Sequence, residues 1–309
     1  MSGPSGSGPG ASGPAGGEPA ASGLAGSGLA GSESAGSELA ASESAGSELA
    51  GSELAGSELE VRADGPVLTA TFNRPDQRNA MTWAMYEGLV AACERADADE
   101  DVRVLVLRGA GGRAFVAGTD IAQFAEFSGG RDGVDYEARV TAVLDRLADV
   151  DVPTVAVIDG YCVGGGLGIA SACDLRIAAP QARFGVPVAR TLGNCLSAAT
   201  LSLLTHHFGQ SRTVEMLLTA RMVDAEEARA AGFLAEVAED VDAALAALLK
   251  RLLEHAPLTM WATKETLRRI RRATEVDDAD VVARVYGSAD FRAGVRSFTA
   301  RQRPVWTGR

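Results

Sequence analysis

Short apolar runs alternate with longer segments of helical periodicity from residue 61 to the C-terminus. Four of these runs are rich in β-branched residues and end at Gly, Pro or Asp, which predicts strands. The predicted strands are 67–72, 102–109, 154–160 and 174–179. Thr82 stands before the apolar series Met85, Leu89 and Cys93 and is the predicted N-cap of a helix. Strands that alternate with helices favour a parallel, helix-covered sheet of the α/β class.

A second helix is predicted between the second and third strands. Apolar residues recur at Val140, Val143, Leu144 and Leu147 within 134–149. Beyond residue 195 the pattern is helical almost throughout. The predicted helices there are 197–208, 211–219, 224–231, 240–255 and 257–273. A first half that carries the sheet and a helical second half are therefore expected.

Residues 1–60 follow a different pattern. From Ser22 they repeat pentads such as SELAG, and a five-residue period gives an apolar face neither to a helix nor to a strand. Gly and Ser dominate, so we expect a disordered tail with a solvating or tethering role. Deleting 1–60 is expected to leave thermal stability and oligomeric state unchanged. The predicted division is a tail over 1–60, a core over 61–239 and a helical C-terminal region over 240–309.

Composition and charge exclude several classes of function. The formal net charge is −12, with eight Glu and no Asp, Lys or Arg in residues 1–60, which argues against nucleic acid or an anionic membrane as partner. The sequence holds no apolar run of transmembrane length and no signal-peptide pattern at its start. Four cysteines without paired spacing favour reduced thiols and a cytoplasmic location. The three histidines lack metal-ligand spacing, so no metal site is predicted.

Two glycine-rich turns carry the candidate chemistry. GAGGRAFVAGTDIAQF (109–124) and DGYCVGGGLGIASACDLRIA (159–178) each leave a predicted strand and enter a helix-like segment. Glycine lets backbone N–H groups face a cleft without a blocking side chain, and two such donors from different loops can form an oxyanion hole. Residues 164–169, GGGLGI, lack the GxGxxG spacing of a dinucleotide site. Close helix–strand packing remains the alternative explanation of a single GGG.

Several motifs together resemble those of the crotonase (enoyl-CoA hydratase/isomerase) superfamily. They are FNRPDQRNAM (72–81), AFVAGTDI (114–121), PTVAVIDGYCVGGGLGIASACDLRIA (153–178), ARFGVP (182–187) and LLTARMVDAEEARAAGFLAEV (217–237). The resemblance implies a core of ββα repeats, a helical C-terminal region that assembles trimers or hexamers, and acyl-CoA thioesters as substrates without a further cofactor. It also implies that the backbone N–H groups of Thr119 and Gly165 hold the thioester oxygen.

The chain departs from that family at the two positions where its hydratases carry glutamates. By the resemblance these positions are Gly168 and Val188, neither of which can transfer a proton. Three hypotheses follow: an acyl-CoA enzyme with other acid–base groups, a non-catalytic acyl-CoA-binding scaffold, and a hydrolase that uses Ser197 or Cys195. The hydrolase hypothesis has neither a G-x-S-x-G elbow nor a positioned histidine in its favour.

The remaining candidate residues lie near the two turns and on the C-terminal helices. Asp120, Glu126 and Asn194 are candidates for the missing acid–base role, although Asp120 is also a common turn former and Glu126 also fits a solvated helix face. Ser197 is equally a helix cap and Cys195 a core residue. The candidate contacts to acyl-CoA are Arg74, Arg78, Ala117, Ile121 and Lys264.

Overall fold

The computed structural model describes residues 57–273 and 277–307, which belong to one compact unit. Their strands form two sheets, of six and four strands. The strands are β1 Leu59–Asp64, β2 Val67–Phe72, β3 Val104–Gly109, β4 Ala114–Val116, β5 Thr154–Ile158, β6 Tyr161–Val163, β7 Leu175–Ala178, β8 Arg183–Gly185, β9 Val223–Asp224 and β10 Glu236–Val237.

Helices surround the two sheets and make up most of the second half. Short 3₁₀ turns at Pro75–Gln77 and Ile121–Phe124 precede the first two helices. The α-helices are α1 Trp83–Ala98, α2 Gly130–Ala148, α3 Gly165–Ala172, α4 Val188–Thr191, α5 Ala198–Phe208, α6 Gln210–Thr219, α7 Ala225–Ala230, α8 Val241–Glu254, α9 Pro257–Arg272, α10 Ala279–Tyr286 and α11 Ala289–Thr299.

The main sheet has the order β1–β2–β3–β5–β7–β10 and is parallel except for β1, which is antiparallel to β2. Both faces of its central strands are covered, which explains why β3 and β5 are continuous apolar runs. Leu105 and Leu107 of β3 face the larger core cluster, whereas Val104 and Val106 face a second cluster beneath α8. The predicted α/β class is confirmed.

Three pairs of strands divide between the two sheets. In β3/β4, β5/β6 and β7/β8, the first strand joins the main sheet and the second joins the small sheet of order β4–β6–β8–β9. The two glycine-rich turns therefore leave neighbouring parallel strands, because β4 pairs directly with β6. These three-residue strands are too short for a period-two pattern to predict them.

The predicted helix starts at Thr82, Ser197 and Asp224 are confirmed. Each side chain accepts a hydrogen bond from a backbone N–H of the first turn, for example from Met85 to Thr82 Oγ1 at 3.2 Å. The pattern missed α10 and α11. Helix α10 packs against α2 where Gly133 allows it, since a Cβ there would lie 2.1 Å from Cγ of Tyr286.

The predicted tail overlaps the first strand by two residues. Residues 1–56 lie outside the described residues, but Leu59 and Glu60 begin β1, and Leu59 is buried and opposite Phe72. Glu58 also forms an ion pair with Arg74 at 3.1 Å. The first strand begins before the predicted boundary at residue 60, because the four residues SELE look like the start of another repeat although their leucine joins the core.

Two truncations should therefore differ in stability. Removal of 1–56 is expected to leave the free energy of unfolding nearly unchanged, whereas removal of 1–60 should lower it by about 2–3 kcal/mol, because it deletes a buried leucine and the start of an edge strand. Urea unfolding of both truncations beside the full chain measures the difference. Equal midpoints would contradict a structural role for Leu59.

Candidate active site

The two glycine-rich loops meet at the ends of the paired strands β4 and β6. Gly118 has φ +99° and Gly164 has φ +57°, both in the region that glycine alone adopts readily. A Cβ on Gly164 would lie 3.5 Å from Cα of Gly118. Positive φ at both residues thus brings the backbones of the two loops into contact.

This contact presents two backbone N–H groups to the same place. Met81 donates to the carbonyl of Gly118 and accepts from the N–H of Asp120, both at 2.9 Å, so the N–H of Thr119 between them points the other way. Gly165 is the first residue of α3, where N–H groups have no acceptor within the helix. An ideal Cβ on Gly165 would lie 3.9 Å from N of Thr119. The two donors are neighbours.

A cavity of about 250 Å³ adjoins these donors. Its walls are mainly apolar and come from α2, the loop before α5, and α4. Gly168 and Val188, where the resemblance places glutamates, both line it, beside Val140, Leu144 and Leu196. A carboxylate is therefore absent from both of those positions on the cavity wall.

The side chain of Thr119 belongs to a hydroxyl cluster. Its Oγ1 lies 2.9 Å from the hydroxyl of Tyr86 and 2.7 Å from that of Tyr136, which lines the cavity. Burial raises the pKa of Tyr86 to about 12 and the pKa of Tyr136 well above its usual value. Both phenols remain protonated, and they fix the position of Thr119 and hence of its N–H group.

Glu137 is a cavity residue that the sequence analysis did not identify. It is only 5% exposed, and it accepts hydrogen bonds from the hydroxyl of Tyr286 at 2.7 Å and from the N–H of Ser197 at 2.9 Å. Desolvation raises its pKa to about 7. The sequence feature that could have identified Glu137 is its position three residues before Val140. A carboxylate is unusual on the apolar face of a predicted helix.

Six of the predicted site residues line this cavity. Asn194 is part of its lining and donates to the hydroxyl of Tyr286 at 3.2 Å. The guanidinium of Arg78 lies over the ring of Tyr161, 5.5 Å from its centroid. The six residues are Thr119, Gly165, Asn194, Arg78, Ala117 and Ile121.

Four other predicted residues are not among those that line the cavity. Asp120 accepts from Arg74 at 3.0 Å and from the N–H of Ala122, so it caps the 3₁₀ turn, and Arg74 also pairs with Glu58. Glu126 is exposed on the segment that follows. Lys264 pairs with Asp174, which in turn accepts from the N–H of Thr154 at 2.7 Å. These side chains have structural partners or face solvent.

The side chains that a hydrolase or a metal centre would need either have structural roles or are not grouped together. Ser197 Oγ accepts from the N–H of Thr200 as a helix cap, and burial raises the pKa of Cys195 to about 12, which disfavours a thiolate. Within 57–273 and 277–307, no group of three or more His, Cys, Asp or Glu side chains is placed to hold a metal ion. Among the described helices, none combines the length and apolar composition needed to cross a membrane.

Together, the paired sheets and the two loop amides define an α/β protein with a backbone donor pair at an apolar cavity. The family model for enoyl-CoA hydratase/isomerase matches residues 62–309. The chain belongs to this family, within the crotonase superfamily, and the resemblance drawn from its motifs is confirmed.

Relatives and solved structures agree with this assignment. The 2,3-dehydroadipyl-CoA hydratase of Escherichia coli is 30% identical over 249 residues, which are 79% of this chain and 96% of that protein. The human mitochondrial methylglutaconyl-CoA hydratase is 29% identical over 252 residues, or 78% of this chain and 74% of that protein.

Two solved structures show the same fold. An enoyl-CoA hydratase/carnithine racemase from Magnetospirillum magneticum has a TM-score of 0.67 at 34% identity and covers 82% of this chain and 96% of its own. A methylmalonyl-CoA decarboxylase complexed with 2S-carboxypropyl-CoA has a TM-score of 0.75 at 25% identity, covering 82% and 99%. The crotonase-like architecture with a helical C-terminal region is thereby confirmed.

Proposed function

We propose that this protein is an acyl-CoA enzyme that stabilises a thioester enolate in a backbone oxyanion hole. The observation that carries the proposal is the meeting of two amide donors, Thr119 and Gly165, at one apolar cavity. Membership of a family whose relatives are named as CoA hydratases supports the thioester as substrate.

The chemistry follows from this arrangement. A thioester carbonyl oxygen that accepts from both N–H groups gains negative charge as a proton leaves its α-carbon. Donors fixed in advance, in a site that excludes water, stabilise that charge without reorganisation. Gly165 opens a helix, so its N–H also carries the positive end of the α3 dipole. The cavity is therefore matched to the enolate more than to the ground-state thioester.

Ordinary syn hydration by two carboxylates is not the reaction that this cavity favours. Gly168 and Val188 supply no proton donor or acceptor, and acid–base help of that kind contributes about 10²–10⁴ in rate. We therefore place the activity among proton transfers at the α-carbon, with a non-catalytic acyl-CoA scaffold as the alternative.

Assembly and location complete the proposal. Helix α9 leaves Leu258, Leu267 and Ile270 exposed by 77%, 56% and 64% in the single chain, which fits burial against other subunits in a homotrimer or hexamer. The four cysteines, all within the described residues, are free thiols, which fits a cytoplasmic location.

Three measurements on the full chain test this function. Calorimetry with a non-reactive acyl-CoA should detect binding. Proton NMR in D₂O should show exchange of the α-protons of a saturated acyl-CoA, because enolate formation requires their removal. Hydration of crotonyl-CoA should remain far below the rates of about 10–10³ s⁻¹ that are ordinary for enzymes.

Each outcome decides between the alternatives. Binding with exchange supports an enolate-forming enzyme. Binding without exchange supports the scaffold and overturns the proposed activity. Hydration at ordinary rates would show that the proton-transfer groups lie elsewhere than this cavity indicates.

A further inference from the structure

We propose that Glu137 is the proton-transfer residue of this cavity, an inference that rests on the proposed function and names the group that removes and returns the α-proton. The carboxylate comes from helix α2, which the family motifs do not include, and it takes the place of the acid–base groups absent at Gly168 and Val188.

Helix periodicity places Glu137 at the cavity. It follows Tyr136 and precedes Val140 and Leu144 by three and seven residues, and all four line the same wall. Tyr136 is in turn 2.7 Å from the side chain of Thr119, whose N–H is one of the two donors. Two adjacent residues of α2 therefore have different positions at the cavity. Tyr136 contacts the residue that supplies an oxyanion donor, and Glu137 supplies the carboxylate.

The hydrogen bonds of Glu137 leave it able to act. Tyr286 donates to Oε1 and the N–H of Ser197 donates to Oε2, one bond to each oxygen. A carboxylate oxygen can accept two bonds, so each oxygen retains an acceptor position. Tyr286 receives a hydrogen bond from Asn194, and this chain of contacts holds the carboxyl group in one orientation.

The charges around Glu137 favour a group that changes protonation near neutrality. Tyr286 and Asp278 face it from α10 and its N-terminus, Tyr136 is its neighbour on α2, and Cys195 lies on the loop before α5. Burial raises the pKa of Glu137 to about 7, and the charge of Asp278 adds to this rise, while hydrogen bonds from Tyr286 and from Ser197 oppose it. A base with a pKa near the working pH is the most effective kind.

A second cavity, of about 900 Å³, is also bordered by Glu137. Its lining also includes Ser197, Asp278, Arg271 and His206. Arg271 lies 3.8 Å from Asp145, so its charge is shared with another carboxylate. Arg271 thus pairs with Asp145, whereas the hydrogen bonds of Glu137 come from neutral donors.

One carboxylate is sufficient for the proposed reaction, because it accepts a proton in the first step and returns it in the second. The carboxylate of Glu137 takes a proton from the α-carbon, and the electrons of that C–H bond form the C=C bond of the enolate, whose oxygen accepts from Thr119 and Gly165. Collapse of the enolate takes a proton back from the carboxylic acid, either at the α-carbon or at the γ-carbon of an unsaturated chain. The substrate class is therefore an acyl-CoA that undergoes exchange or a 1,3-proton shift, and no water is added.

Two variants on the full chain test this assignment. Glu137→Gln keeps the shape and should reduce α-proton exchange by about 10²–10⁴ while binding of a non-reactive acyl-CoA is retained. Asp135→Asn makes the same chemical change on the exposed face of α2 and is the control. Exchange by the wild type should rise with pH through about 7, as the carboxyl group loses its proton.

A third variant separates a chemical role from a structural one. Tyr286→Phe removes a donor that stabilises the ionised carboxylate, so the midpoint of the pH profile should move to higher pH, with thermal stability of every variant recorded alongside. A Glu137→Gln variant that is folded, binds and exchanges within about threefold of the wild type overturns the inference and leaves the proposed function standing. A wild type that binds acyl-CoA without exchange overturns both.

Discussion

Gly165→Pro is expected to lower the rate of α-proton exchange by about 10²–10³ relative to Gly165→Ala, because proline deletes one of the two backbone donors. Gly165 is the first residue of α3, the helix position where proline is best tolerated since its N–H has no acceptor within the helix. The substitution therefore removes a donor to the ligand without removing a hydrogen bond from the helix. Exchange is measured by proton NMR at saturating acyl-CoA.

Gly165→Ala is the matched control because it adds the same Cβ but retains the N–H. That Cβ would meet the hydroxyl of Tyr86 at 2.9 Å and Oγ1 of Thr119 at 3.4 Å, both of them ends of side chains that can shift. Crowding by the Cβ thus appears in both variants, and the ratio between them reports the loss of the N–H together with the ring carbons that replace its hydrogen. Equal rates for alanine and proline would mean that the N–H of Gly165 does not hold the developing charge.

Arg176→Met is expected to lower the free energy of unfolding by about 3–5 kcal/mol, the largest stability effect that we anticipate for a single side chain. The buried guanidinium donates to the carbonyls of Phe233 at 2.6 Å, Ala170 at 3.0 Å and Asp174 at 3.1 Å, and also to that of Cys173. Methionine fills similar space but leaves these acceptors without donors, at about 1–3 kcal/mol each for those that remain buried.

Arg183→Met is the control for this change. Arg183 is half-buried, and its guanidinium donates to the carbonyl of Ala182 at 2.8 Å beside the surface, where water can replace it. We expect a loss below about 1 kcal/mol. Urea unfolding at one protein concentration compares the two variants, and similar midpoints would argue against Arg176 as the residue that holds the C-terminal end of α3.

The sequence was most informative where a pattern depends on near neighbours. Thr82, Ser197 and Asp224 were identifiable as caps because the acceptor and the donors it serves lie within three residues. The loop donors Thr119 and Gly165 were assigned through motifs whose glycines permit positive φ and close approach, and the structure brings both to one cavity.

Contacts between segments far apart along the chain could not be predicted from such local patterns. The bond between Tyr286 and Glu137 joins residues 149 positions apart and depends on α10, a helix of eight residues that the periodicity did not predict. Asp120 looked like the nearest carboxylate to the oxyanion loop, yet its partner Arg74 is 46 residues away and orients it to close a turn. Proximity along the chain thus favoured a carboxylate that already has structural partners.

Glu137 lies in the wall between two cavities, and this position affects whether the hydrogen that it removes from the substrate returns to the same molecule. The second cavity has exposed residues such as His206 and Asp277 in its lining, so we expect the carboxyl group to exchange protons with solvent on that side while an acyl chain fills the first. The acid can then trade its hydrogen with water before the enolate collapses. A hydrogen removed from the substrate would then be lost to solvent and not returned to the product. The carboxyl group could also exchange its proton while the ligand stays bound.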